Sequence, residues 1–320
     1  MTDITKIYSK VLAFINKNRI PLLVVGLFVF MSIVRPRFLS PINIWGLFEY
    51  MAIYGITAVG LTFILLCGQL DISIGSVMAL SSCVFMLLAP THGFVISLIA
   101  ALITGCVLGS ITGFFVSFFR LSPFIVSMTM QIAYRGVALT ITNSIPIQYQ
   151  DPVIKAMSKT EFFHIPLSFF VFLAVVVISQ FVLSRTKFGR NLYVIGGNIK
   201  VADSVGINVR NHLWVVYIIQ GLMAALGGIM LITRTFSASG NSAMDAPLSI
   251  IPMVIVGGTA FSGGKGGALR TLYGVMLMSI AYNAMSMFSL YVNIQQLIRG
   301  AILLLIIVSD KYMENRHNKI

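Results

Sequence analysis

Ten apolar runs, separated by short polar breaks, dictate what this chain can fold into. They lie at about 20–34, 43–66, 72–90, 93–119, 122–142, 165–184, 212–233, 247–261, 268–288 and 291–309. A helix needs roughly 20 such residues to cross a hydrocarbon layer of about 30 Å, and most of the runs supply that length. Inside lipid only a helix or a closed barrel satisfies its own backbone, and uninterrupted runs of this length read as helices. Of the 320 residues 58% are hydrophobic and 10% charged, against roughly 25% charged in a soluble domain. Too little polar surface remains to cover a core in water. The expected fold is all-α, a polytopic transmembrane helix bundle of about ten spans.

The ends are polar. Residues 1–19 form an N-terminal segment with Lys6, Lys10, Lys17 and Arg19, 20–309 form the membrane domain, and 310–320 form a tail. A basic segment before an apolar run suggests a signal peptide. However, the run ends in Arg35-Pro36-Arg37-Phe38 rather than a small-x-small cleavage site, so it reads as an uncleaved first span. With the N-terminus inside and ten spans alternating, 15 of the 22 Lys and Arg fall inside, five outside and two, Arg135 and Arg299, within spans. That asymmetry places both termini in the cytoplasm. It also accounts for the net charge of +13, which is scattered between apolar runs and forms no nucleic-acid stripe.

Catalytic chemistry is absent from the pattern. His92, His164, His212 and His317 stand apart, no carboxylate pair lies within a span, and neither HExxH nor GxSxG occurs. No catalytic residue or metal site is expected, and Cys67, Cys83 and Cys106 read as packing residues. The stretch Ser262-Gly263-Gly264-Lys265-Gly266-Gly267 imitates a phosphate loop. It lacks the first Gly, where Thr259 stands, and the Ser or Thr after the Lys, where Gly266 stands. The run 247–261 is short and holds Pro247 and Pro252, so a broken or re-entrant helix is expected. Gly105, Gly109 and Gly113 make a GxxxGxxxG seam, for packing within the chain or between two copies.

The basic loop 185–211 holds the clearest candidate site. Asn198 is a good helix N-cap and Gly206 a good stop, leaving about two turns between them, too short to persist alone in water. Such a helix either lies on its own bundle or fits a groove on a partner; Gly196, Gly197, Asn198, Ala202, Asp203, Ser204 and Gly206 are the residues concerned. Asp71 either caps the following helix or faces a solute path. A mid-membrane Arg costs at least about 2.5 kcal/mol, so Arg135 and Arg299 each serve as an interhelical tie or as a solute contact. Gln131, Asn143, Asn283, Gln295 and Gln296 are polar enough to line a wet path. Asp71, Gln131, Arg135, Asn283 and Arg299 are the path or gate candidates.

Four motifs in order carry a resemblance over nearly the whole chain. Residues 68–76, GQLDISIGS, look like the GGIDLSVGS of the ribose-type (monosaccharide) permeases of bacterial ABC importers. Ser122-Pro123-Phe124-Ile125-Val126 with Arg135-Gly136 resembles that family's fifth-span signature. Thr186-Lys187-Phe188-Gly189-Arg190, Gly196-Gly197-Asn198 and Ser204-Val205-Gly206-Ile207 are similar to its cytoplasmic loop. Val256-Gly257-Gly258-Thr259 with Gly263-Gly264-Lys265-Gly266 is similar to its late glycine-rich stretch.

The resemblance implies a multi-pass subunit of the cell (inner) membrane that translocates a ribose-like pentose or hexose by alternating access. A second permease copy, identical or related, would complete the path. A separate cytoplasmic ATPase would bind ATP and Mg, so that this chain needs no cofactor, and would dock on the 198–206 helix. A periplasmic or surface-anchored binding protein would meet the loops 35–42, 143–164 and 234–246. Gln69 and Arg270 depart from the family's usual Gly at both places. The alternative cargo is a nucleoside or another small polar solute. A secondary transporter is a weaker reading, because no internal repeat is evident and the buried charges are Arg rather than relay acids.

Overall fold

The computed structural model describes residues 19–317, with side-chain surroundings through residue 308. Residues 1–18 and 318–320 lie outside the described residues, and with them the expected cytoplasmic placement of both termini. The helices are α1 (Arg19–Val34), α2 (Pro41–Leu66), α3 (Ile74–Phe118), α4 (Pro123–Ile141), α5 (Pro152–Lys159), α6 (Leu167–Arg185), α7 (Lys187–Gly197), α8 (Ile199–Ser204), α9 (Val209–Thr235), α10 (Ala246–Val256), α11 (Ala268–Met287) and α12 (Val292–His317). Pro41, Pro123 and Pro152 open their helices, where the missing N–H costs nothing and φ is preset. Four two-residue strands interrupt the helical pattern: β1 (Ile147–Gln148), β2 (Glu161–Phe162), β3 (Ile165–Pro166) and β4 (Ser237–Ala238).

Five helices, α2, α3, α4, α6 and α9, are long and apolar enough to cross a membrane. α3 joins two of the expected runs across Gly93, whose φ of 72° is left-handed. The neighbours on α9 show what happens there. Space at Gly105 is closed by Ala225, while space at Gly228, three residues on, is closed by Met78 and Ser82. Gly105 and Ser82 would be about 35 Å apart on a straight helix. The chain therefore folds back at Gly93 into two arms, and the Phe85 and Phe94 rings meet at 5.7 Å beside the bend. Glycine reaches that φ without the steric cost a side chain carries.

The GxxxGxxxG seam is internal. A Cβ on Gly105 would strike Gly221, one on Gly109 the Tyr217 carbonyl, and one on Gly113 the Tyr217 side chain at 2.6 Å. Close backbone approach is what binds helices in lipid, where hydrophobicity supplies no pairing force. Gly109→Ala should therefore cost about 2 kcal/mol, read as a lowered thermal unfolding midpoint in detergent. An unchanged midpoint would show that the two helices separate freely at this point.

α2 runs through the centre. From Met51 to Leu66 nearly every residue is buried and the helix is apolar on every side, as fully enclosed helices are, while Asn43 and Glu49 lie in its first half. α4, α6 and the second arm of α3 turn residues such as Ile125, Ile132, Phe181 and Ile99 outward, the face that lipid covers.

α10 has 11 residues, about 16 Å of helix and half a membrane. It follows a segment that turns back into the bundle. Phe236 takes a left-handed φ of 49°, β4 pairs with β1, and the Ala243 carbonyl lies against Gly75 in the first turn of α3. The freed backbone is thus covered by protein, which is the condition for irregular structure at membrane depth. Two further differences stand out. Residues 187–197 form a helix that the sequence reading left unassigned, and α12 continues to His317, past the expected boundary at 309.

Candidate functional site: a glycine junction beneath a short helix

α7 begins where the Thr186 hydroxyl accepts the Gly189 N–H at 3.0 Å. Phe188, Leu192 and Ile195 fall on one face at helical spacing, and Leu192 and Ile195 are fully buried. Asn198 separates α7 from α8. Its Oδ1 accepts the N–H groups of Lys200 at 2.9 Å and Val201 at 3.3 Å. At the other end Gly206 has φ 77°. Its N–H donates to the Asp203 carbonyl, and the Ile207 N–H donates to the Ala202 carbonyl, each at 3.0 Å. This double-bonded stop is the Schellman motif. Six residues do not hold a helix in water. Two complete caps and the buried Ala202 hold this one.

Beneath α8, three segments pack backbone against backbone. The Gly264 N–H donates to the Leu66 carbonyl at 2.9 Å. A Cβ on Gly196 would overlap that carbonyl oxygen and lie 2.9 Å from its carbon. A Cβ on Gly263 would sit 2.8 Å from the Gly68 nitrogen and 2.9 Å from the Gly196 oxygen. Gly263 and Gly264 have φ of 90° and 72°. The Tyr193 hydroxyl donates to the Gly266 carbonyl at 3.1 Å. The end of α2, the α7–α8 joint and the α10–α11 loop are therefore in contact without intervening side chains. A movement of the α7–α8 joint would reach the other two segments with little slack, because no rotamer change can absorb it.

Not every glycine of the loop serves this contact. Gly196 has no room for a side chain, whereas a Cβ on Gly197 or Gly206 meets nothing within 4 Å. Gly206 is required by its φ instead. Gly68, Gly263 and Gly264 stand in two of the family-like motifs, but neither they nor Leu66 are among the expected site residues.

Asp71 lies in the loop between α2 and α3, fully enclosed. Its Oδ1 accepts the Ser73 N–H at 2.8 Å and the Ser73 hydroxyl at 2.6 Å, so it caps the turn that leads into α3. Burial pushes its carboxyl from 3.8 up to about 6 despite these two bonds. A folded-state value above the unfolded one makes the charged form costly. The cost is absent at low pH, grows as pH rises from about 4 to about 6, and is full above that. Asp71→Asn keeps an Oδ1 acceptor without charge. At pH 7.5 it should be the more stable protein by up to about 3 kcal/mol, with the gap closing toward pH 4. A variant less stable than the parent at pH 7.5 would show that the charge itself is needed.

The other path candidates do not form one line. Arg135 donates from Nη1 to the Gly240 carbonyl at 2.6 Å and ties α4 to the segment that precedes α10. The Gln131 carbonyl accepts from the Ser76 hydroxyl at 2.7 Å. Asn283 exchanges two amide hydrogen bonds with Asn43, at 2.8 and 3.2 Å. Arg299 donates to the Ser249 hydroxyl at 3.4 Å and lies over the Tyr282 ring at 4.8 Å. Asn283 and Arg299 share a cavity between α2, α11 and α12; Asp71, Gln131 and Arg135 do not line it. The cavity touches Leu47 and the junction touches Leu66, positions about 30 Å apart along α2.

A family described as branched-chain amino acid transport system / permease component matches residues 43–307, from α2 through the apolar part of α12. The chain belongs to that family. The permease is 32% identical over 292 residues to the ribose import permease protein of Bacillus subtilis, covering 89% of this chain and 91% of that one. It is 29% identical over 303 residues to the L-arabinose ABC transporter permease protein of Azospirillum brasilense, covering 94% and 89%. To the D-allose transport system permease protein of Escherichia coli it is 28% identical over 285 residues, covering 88% and 87%. No solved structure matches. The permease is an integral membrane transport protein, and both the glycine junction and the cavity lie inside the matched region.

Proposed function

We propose that this permease is the membrane subunit of a binding-protein-dependent ABC importer that carries a monosaccharide into the cell by alternating access. Three relatives named for ribose, arabinose and allose, each covering most of both chains, support the substrate class. The observation that carries the mechanism is the capped helix α8, which follows directly on the glycine junction. Ile199 and Val201 on it, and Val205 at its C-cap, are 44%, 49% and 65% exposed. Three exposed aliphatic side chains on one short capped segment form a local apolar patch of the kind a partner covers. Beside it a cleft of about 900 Å³ between the ends of α3, α4, α8 and α9 is walled by Arg120, Lys200 and Arg210 against a single acid, Asp203. The fitting partner is a cytoplasmic ATPase with an apolar groove and an acidic rim, which supplies the ATP and Mg²⁺ sites.

On this reading α8 faces the cytoplasm of a cell inner membrane, with both termini on the same side. A second copy completes the path. The solute-binding protein meets the opposite face, where 35–42 and 143–164 are the available loops, because most of 236–245 is occupied by packing within the bundle. ATP binding pulls α8, and the junction passes the movement to the α2–α3 connection and to the base of α11. The tagged permease, purified in mild detergent, should bring down a stoichiometric ATP-binding-cassette protein. Cells expressing the full set should take up a labelled pentose or hexose only while ATP is available. Uptake driven by an ion gradient without any ATPase would overturn this reading.

A further inference from the structure

The cavity between α2, α11 and α12 has no role in what has been derived so far. Its volume is about 330 Å³, at the small end of ligand pockets. Its wall includes Asn43, Tyr50, Ser279, Tyr282, Asn283 and Arg299. Four buried polar atoms of the residues in that wall have no hydrogen-bond partner: the Tyr50, Ser279 and Tyr282 hydroxyls and Arg299 Nε. Tyr282 is 4% exposed and Ser279 1%, so open solvent does not supply the missing bonds. An enclosed polar atom left alone is unfavourable; the four are closed to water as the side chains stand, and a polar occupant of the hollow beside them would supply the missing bonds once they turn toward it.

We infer that this cavity is a solute-binding site within each permease, and that its ligand is a neutral polyhydroxylated molecule the size of a monosaccharide. The inference rests on the sugar-importer reading and locates one sugar subsite within it. Hydroxyl groups both donate and accept, which suits a wall of phenol, hydroxyl, amide and guanidinium. An anion fits less well. The Arg299 guanidinium already lies on the Tyr282 ring and donates to Ser249, and Arg234, also on the wall, faces Glu49 at 3.8 Å. The Tyr50 and Tyr282 rings, 6.3 Å apart, offer apolar surface for the C–H faces of a sugar ring. The site lies at the end of α2 remote from the glycine junction, so in the proposed orientation a solute leaving the binding protein meets it first.

Two substitutions separate binding from folding. Tyr282→Phe removes one orphaned hydroxyl and nothing else. A purely structural hydroxyl without a partner is not missed, so the unfolding midpoint should hold or rise, while KM for the transported sugar rises about 5- to 10-fold. Gly46→Trp fills the space, since a Cβ at Gly46 meets nothing within 4 Å and Gly46 lines the cavity. Uptake should fall at least tenfold with the protein still folded and still bound to its ATPase. The assay is ATP-dependent uptake of labelled ribose, arabinose, allose and glucose by the reconstituted complex. Parent uptake with both variants unaffected overturns this inference and leaves the importer standing. A parent complex that imports none of the four sugars overturns the sugar reading and this inference with it.

Discussion

Gly196→Leu should break the permease at its most crowded point. The new side chain would have to displace the Leu66 carbonyl and with it the Gly264 N–H bond, both main-chain groups with no flexible end to move. Overpacking of this kind costs roughly 1–3 kcal/mol, and losing a buried backbone hydrogen bond adds about 1–3 kcal/mol. The expected result is a clearly lowered unfolding midpoint in detergent and uptake reduced at least tenfold. Gly197→Leu, one residue on, should behave almost as the parent, because a Cβ there meets nothing within 4 Å. Its effect should stay within about 0.5 kcal/mol. Equal behaviour of the two variants, in either direction, would remove the junction from the mechanism.

Ile199→Asp combined with Val205→Asp should separate the permease from its ATPase while leaving it folded. Both side chains are largely exposed, so the free protein loses little packing and its unfolding midpoint should hardly move. In the complex each would bury a charge where an aliphatic group belongs. Central interface residues are worth about 2 kcal/mol or more apiece, so affinity should fall by a factor on the order of 10³. The readout is recovery of the ATPase with the tagged permease. Ala202→Asp supplies the contrast: Ala202 is the fully buried residue of α8, so that variant should lose the helix as well as the partner. Full ATPase recovery with the double variant would place the docking surface elsewhere.

How much was legible beforehand varied with the type of signal. The apolar runs mark nearly every long helix to within a few residues, because lipid accepts few other structures. Asn198 and Gly206 mark α8 because capping is local chemistry, readable from adjacent residues. The seam at Gly105, Gly109 and Gly113 was visible as a pattern, but its partner was not. Only the fold-back at Gly93 and the position of α9 decide that Tyr217 and Gly221 fill it. α7 lies within what the sequence presents as a basic loop, although Thr186 and the Phe188, Leu192, Ile195 spacing are local helix signals.

The sequence by itself determined the solvent of this protein, its helical class, the short α10 and the caps of α8, all from the chemistry of neighbouring residues. It also carried the family resemblance, through motifs that keep their order along the chain. Only the tertiary structure decided which glycine has no room, which segments meet under α8, and which of the five polar path candidates share a hollow. Those are contacts between residues as far apart as Leu66, Gly196 and Gly264, or Asn43, Asn283 and Arg299. Residue type sets what each position can tolerate, but the folding of α3 at Gly93 and the return of the α9–α10 segment set what each position meets.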